Sequence, residues 1–428
     1  MKKTLLGFVG AAVVASGILS GVAGATGNSV TTDLTFTSSQ KSTALLLGGS
    51  SFDEPFFNAA IPGFMSESAN KAITGSNSGN APQGISLYNP VGSTSGKKGV
   101  AGSDFVITSG SEPTQVFHIG ASDVPMGSGD VGSALNKYVQ VPVVFGGVAL
   151  MINDSKLNTL LGKTKNVQNQ LVVTAAQLAK IYLGQITNWN DTTFCALNTK
   201  ICTKKVSKGK TTFTSKVQSL TISPVFRADG SGTSYIFMDY LHKADPSDFT
   251  ASPSTTFPGS GLANGIGAQK NAGVAADTEQ TPGAIGYVEY SYVLAQHSLP
   301  TISLVNAANQ AVQINTTSIT ASVPAGIAPS ETDGAVTNFS TVNSSVAKAW
   351  PITGYSWAIV RKNLTDATVN GTADNAATTT VATQFLDWAV QAGTTSVPGG
   401  QHYAQQQGYI PLSADVTAFA QAQIAKIN

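Results

Sequence analysis

The chain has 428 residues, with 24 Lys plus Arg against 23 Asp plus Glu, 42% hydrophobic residues and two cysteines. Those figures exclude a disordered polyanion, a basic nucleic-acid binder and a disulfide-stapled miniprotein, and the length provides for two lobes with sizeable apolar cores. Only 11% of the residues are charged, against roughly 25% in an average soluble domain. The surface is therefore polar but largely uncharged, a character that pH hardly alters and that suits an acidic external milieu.

Taken in chain order, Lys2 and Lys3 precede an apolar run over residues 5–19, and Ala23-Gly24-Ala25 supplies small residues for cleavage. This pattern reads as a secretory signal peptide over residues 1–25, leaving a soluble, exported mature protein. No later stretch reaches the roughly 18 apolar residues of a membrane span.

Three apolar runs then stop at loops rich in Gly, Ser and Asp, as the carboxyl ends of buried parallel strands do. Residues 44–47 lead into Gly48-Gly49-Ser50-Ser51-Phe52, and residues 116–119 into Gly120-Ala121-Ser122-Asp123. Residues 221–226 lead into Arg227-Ala228-Asp229-Gly230-Ser231-Gly232-Thr233. A helix is expected after the first loop, with Pro55 in its first turn and Pro62 threatening its continuation. Another is expected over residues 233–241. Open α/β sheets bind ligands where several such strand ends meet.

Cys195 and Cys202 are the only thiols, and in an exported chain a disulfide is the simple inference. Metal ligation is the alternative, but His118, His242, His297 and His402 stand far apart and offer no ligand spacing. No metal or other cofactor is expected.

The third loop carries the most chemistry. Gly230 and Gly232 let the backbone approach a ligand, and the free amides of a helix N-terminus favour an anion. Arg227 adds a planar fork for two oxygens of a tetrahedral oxyanion, Ser231 and Thr233 add hydroxyl donors, and Asp229 is placed to pair with Arg227 and fix the fork. A glycine-rich turn with a simple helix cap is the plainer alternative. P-loop spacing fails, because Leu157 and Lys204 hold the required glycine positions before Gly162-Lys163-Thr164 and Gly209-Lys210-Thr211. No serine has glycine two residues on either side, so the nucleophile elbow is missing as well. An oxyanion is more readily held than transformed by such residues.

Asp123 would weaken anion binding unless the ligand brings a proton to donate; phosphate can do this and sulfate at neutral pH cannot. An Asx turn or cap for Val124-Pro125-Met126 is the other reading.

At this point the chain resembles a known family, the phosphate-binding protein of the bacterial phosphate ABC transporter. The resemblance rests on Gly48 to Phe52, Gly92 to Gly96, Gly120 to Asp123, Ile181 to Ile186 with Trp189, Arg227 to Thr233, Gly283 to Tyr290, and Ala349 to Thr353, in the family's order. It implies an α/β, two-lobed type II periplasmic binding protein fold with a ligand cleft between the lobes. It further implies that Ser51, the Phe52 amide and Ser93 hold phosphate, that Asp123 accepts the phosphate proton, and that Arg227, Asp229, Ser231, Gly232 and Thr233 form the second lobe's binding loop. The register of Ser93 could slip to Ser95. The implied partners are inorganic phosphate and an inner-membrane ABC permease, the location is periplasmic or secreted, and a monomer that is no enzyme is expected.

The expected division is residues 26–143 and 353–428 in the first lobe and residues 144–352 in the second, with crossover strands near residues 143–150 and 350–353. Segments 97–117, 192–216 and 316–346 read as inserted surface loops, and their lysines, Lys97 and Lys98 included, as solvated charge. Asp53 and Glu54 depart from the family pattern, being acids next to an anion site. A secreted phosphatase and an exported phosphate scavenger or adhesin are the alternative functions.

Overall fold

The computed structural model describes residues 44–428 apart from 67–83, 107–114, 162, 165–166, 169, 296–298, 327, 366–367, 370–371, 374–375 and 395. The segment read as a signal peptide, residues 1–25, lies outside the described residues.

One seven-stranded sheet organises the molecule. Its strands are β1 (Leu47–Gly49), β2 (Ile119–Ser122), β3 (Tyr138–Ile152), β4 (Ser223–Arg227), β5 (Ile266–Ala268), β6 (Ala284–Glu289) and β7 (Thr353–Arg361). They lie in the order β5-β4-β6-β3-β7-β2-β1. The flanking pairs β1/β2, β4/β5 and β4/β6 are parallel, whereas β3 runs antiparallel to both β6 and β7. The result is a two-lobed α/β fold of the type II binding-protein kind, in which the three strand–loop units converge on one region.

β3 joins the two halves. Residues 138–147 pair with β7, and residues 148–152 pair with β6. All fifteen of its residues are buried, which explains why its sequence is an almost unbroken apolar run rather than an alternating one. Pro142 sits inside this central strand, where it has no amide to donate. The register accordingly shifts between Ser356 and Trp357, which face Val144 and Pro142, so β3 carries one extra residue there as a bulge.

The helices that matter are α1 (Glu54–Ser66), α2 (Ser93–Ala101), α3 (Ala175–Tyr182), α4 (Gly232–Ala244), α5 (Lys270–Gln280), α6 (Ala376–Val390), α7 (Gly400–Gln406) and α8 (Ala414–Ile424). α7 packs on α1, and α6 and α8 on β3, so the C-terminal helices return to the half that holds β1 and β2. α1 runs through Pro62 instead of ending there. Pro62 and Asn58, whose carbonyl loses its donor, are both exposed, so the freed group is not one that must find a partner inside the protein.

Two expectations about the inserted segments need correction. α2 extends into the 97–117 segment, and Lys97 is not solvated: it is 5% exposed and pairs with Asp130 at 2.8 Å. Burial of the stem is tolerated because the charge is met by a carboxylate. The 192–216 segment folds into short 3₁₀ turns and an exposed hairpin, Cys202–Ser207 with Lys210–Ser215. Cys195 and Cys202 are joined by a disulfide at its base, with 5.5 Å between their Cα atoms. The 316–346 segment contains a helical turn, Thr316–Thr320, and a second hairpin.

Candidate functional site

The carboxyl ends of β1, β2 and β4 bring three loops face to face. Gly49 to Phe52 and Ser122-Asp123 come from one half of the sheet, with Ser93 at the start of α2 between them. Arg227 to Thr233 comes from the other half and leads into α4.

The loops touch through direct hydrogen bonds. The Gly232 amide donates to Ser93 Oγ at 2.9 Å and the Thr94 amide to the Gly230 carbonyl at 3.1 Å. Ser51 Oγ accepts from the Asn271 amide at 3.0 Å and from its Nδ2 at 3.1 Å. Thr233 Oγ1 donates to Asp123 Oδ2 at 3.3 Å. The cleft is closed, and glycine is required at its tightest points: a Cβ on Gly230 would sit 2.3 Å from Thr94 Oγ1.

Arg227 is 2% exposed. Its Nε donates to Asp229 Oδ1 at 2.6 Å and its Nη2 to Asp229 Oδ2 at 2.5 Å, which locks the guanidinium plane. Burial alone would raise the Asp229 pKa, but the Arg227 charge and hydrogen bonds and the Lys270 amide outweigh it and hold the carboxyl below its usual range. Nη1 of Arg227 is buried without a partner. A guanidinium nitrogen so placed costs several times the net worth of one hydrogen bond unless an acceptor joins it.

Ser231 caps α4, its Oγ accepting from the Ser234 amide at 3.1 Å. Phe52 is fully buried; its amide donates to Ser50 Oγ at 2.9 Å, and the Tyr409 hydroxyl donates to its carbonyl. Ser93 is buried within this region, whereas Ser95 is exposed on the outer face of α2. Asp123 does not serve as a local cap. It is 3% exposed, and burial pushes its pKa up to about 6 against the hydrogen bonds from Ser50 and Ser356 and the charge of Arg227.

Four neighbours were not among the expected site residues. Asn271 bridges Ser51, Thr233 and the Glu289 amide. Glu289, at the end of β6, is fully buried, with a pKa raised to about 8 by burial. Ser356 of β7 lies beside Asp123. Asp53, one of the two unexpected acids, turns inward and is fully buried, while Glu54 accepts a 2.7 Å hydrogen bond from the Tyr292 hydroxyl.

The arrangement can hold a compact tetrahedral oxyanion: amides and hydroxyls from two sides, one fixed guanidinium, and one carboxylate that only a protonated ligand satisfies.

A family model described as a PBP superfamily domain matches residues 35–392. Phosphate-binding protein PstS of Haemophilus influenzae is 31% identical over 304 residues, covering 71% of this chain and 77% of that protein. The protein of the same name from Xylella fastidiosa is 29% identical over 296 residues, 68% of each chain. Among solved structures, a high affinity periplasmic phosphate-binding protein (PfluDING) bound with phosphate superposes with a TM-score of 0.61 at 18% identity, over 89% of this chain and 93% of that one. A phosphate binding protein from Stenotrophomonas maltophilia gives 0.56 at 19% identity, with the same coverages. With a binding-protein fold, a closed anion-type cleft and relatives matched over most of their length, the chain belongs to the PBP superfamily and, within it, to the PstS family of phosphate-binding proteins.

Proposed function

We propose that the protein binds inorganic phosphate between its lobes and delivers it to an ABC-type permease for uptake, acting as an exported solute-binding protein and not as an enzyme. The buried, unpartnered Nη1 of Arg227 carries this reading: its guanidinium is already oriented by Asp229, so an anion admitted when the lobes part supplies the missing acceptor without turning the guanidinium. Ser51, the Phe52 amide, Ser93, Ser231, Gly232 and Thr233 are the remaining donors, the Phe52 and Gly232 amides and the Thr233 hydroxyl exchanging Ser50, Ser93 and Asp123 for the anion, and Asp229 orients Arg227. Asp123 accepts the proton of hydrogen phosphate. Among the described residues no helix is long and apolar enough to cross a membrane, which agrees with a protein held in the periplasm or secreted.

A micromolar complex needs about −8 kcal/mol, and a handful of charge-assisted hydrogen bonds at roughly 1.5 to 3 kcal/mol each supplies it after ordering costs. The test is titration calorimetry on protein stripped of ligand by unfolding and refolding. One-to-one phosphate binding with negligible sulfate heat is expected; refolded protein that binds neither would overturn the reading.

A further inference from the structure

Ser356 Oγ lies 2.8 Å from Asp53 Oδ2 and 2.8 Å from Asp123 Oδ1, and all three side chains are buried. A hydroxyl has one hydrogen, so Ser356 donates to one carboxyl and must accept from the other. With both carboxyls ionised, one of the two contacts would set lone pair against lone pair, and two buried negative charges would share a single oxygen. The geometry closes only when one carboxyl of the pair holds a proton.

The surroundings decide which one. Asp123 has the Thr233 hydroxyl on its other oxygen and feels the charge of Arg227. The titratable groups around Asp53 are the phenols Tyr88 and Tyr409 and the acids Glu54 and Asp123. Tyr88 shares its single proton between the Ser50 carbonyl at 2.6 Å and Asp53 Oδ1 at 3.0 Å, the carbonyl taking the shorter bond, so it gives a charge on Asp53 only partial support. Among the described residues no cationic side chain faces Asp53; hydrogen bonds from Ser356 and Tyr88 and its place at the start of α1 favour its charge, but burial followed by the Asp123 charge outweighs them and pushes its carboxyl well above the ordinary range.

We propose that Asp53 is a protonated carboxylic acid in the working protein, donating to Ser356, which donates to Asp123, so that Asp53 is a positioning residue that keeps Asp123 the single anion of the pair. The proposal rests on the phosphate-binding reading above and deepens it. Asp123 Oδ1 is satisfied from behind, and the carboxylate is held as an acceptor for the ligand's proton. An acid next to an anion site then adds no repulsion, because it is neutral.

The test is infrared spectroscopy of the protein in heavy water near neutral pH, ligand-free and loaded with inorganic phosphate, with calorimetric phosphate titrations on the same preparations. Glu289→Gln removes the other fully buried acid of the site, whose carboxyl burial also pushes up. A carboxylic-acid C=O band that survives in Glu289→Gln and disappears in Asp53→Asn is expected. Asp53→Asn keeps a donor toward Ser356 and should bind phosphate within about threefold of the parent, whereas Asp53→Leu and Ser356→Ala, which break the chain of hydrogen bonds, should bind about tenfold more weakly. Absence of the band in Glu289→Gln overturns the proposal, and this variant decides the matter even if Asp53→Asn does not fold. Equal weakening by Asn and Leu at position 53 also overturns it. Failure of the parent protein to bind phosphate would sink the functional reading alone, because the band in ligand-free protein still reports who holds the proton.

Discussion

Gly232 and Asp123 meet across the cleft at a distance that admits no side chain: a Cβ on Gly232 would lie 2.5 Å from the Asp123 Cβ and 2.7 Å from Ser93 Oγ. Gly232→Ala should therefore hold the lobes apart. We expect phosphate affinity to fall by about tenfold or more, the usual scale of an overpacking penalty, with little change in the melting temperature of the ligand-free protein. Calorimetry and thermal melts in parallel check this; a ligand-free melt that drops as far as the loaded one would place the damage in the fold and not in closure.

Asp123→Asn should blunt discrimination more than binding. The amide can donate to a fully deprotonated oxyanion where the carboxylate cannot, so the phosphate-to-sulfate affinity ratio should fall by about tenfold. Competitive titration of the two anions measures it, and an unchanged ratio would remove Asp123 from its role.

The buried acids give stability a pH dependence of definite sign. Burial pushes Asp123 up to about 6 and Glu289 up to about 8. Both values lie above those of the unfolded chain, so the associated stability is complete below the unfolded pKa values and is lost as pH rises through about 6 and then about 8. Ligand-free protein should melt higher at pH 5 than at pH 9, by about 5 °C or more, and Glu289→Gln should flatten the upper part of the profile. Asp229 has the opposite sign: its pKa is lowered, so its contribution is lost only as pH falls through that depressed value.

Reduction of the Cys195–Cys202 disulfide should cost about 2 to 3 kcal/mol, the loop-entropy value for so short a ring, and leave phosphate affinity unaltered, since the bridge braces the hairpin Cys202–Ser207 with Lys210–Ser215 and not the cleft. Denaturant melts with and without reductant, each with a phosphate titration, separate the two effects.

What the sequence made legible was local. β1, β2 and β4 could be read because each is an apolar run broken by Gly, Ser and Asp, and the Arg227–Asp229 pair because both residues sit two apart in one loop. β1 begins later than its apolar run, since residues 44–45 pair elsewhere, with residues 84–85, and β2 begins only at Ile119 of its run. Ser356, Asn271 and Glu289 were illegible for a shared reason: each is a single polar residue whose meaning depends on which strand its segment lies beside. Ser356 is buried beside Asp123 in a strand that shifts register opposite Pro142, a relation no local pattern encodes. Asp53 could be noticed as an oddity, but its inward orientation needed β7 in place.

β3 also dictates an order of assembly. Its first ten residues find their sheet partner in β7, far downstream, and α6 and α8, which cover it, come from the last fifth of the chain. Such long-range pairing is slow to nucleate. The half of the sheet that holds β1 and β2 therefore stays incomplete until β7 has been made, whereas β4, β5 and β6 can already pair on residues 148–152 of β3.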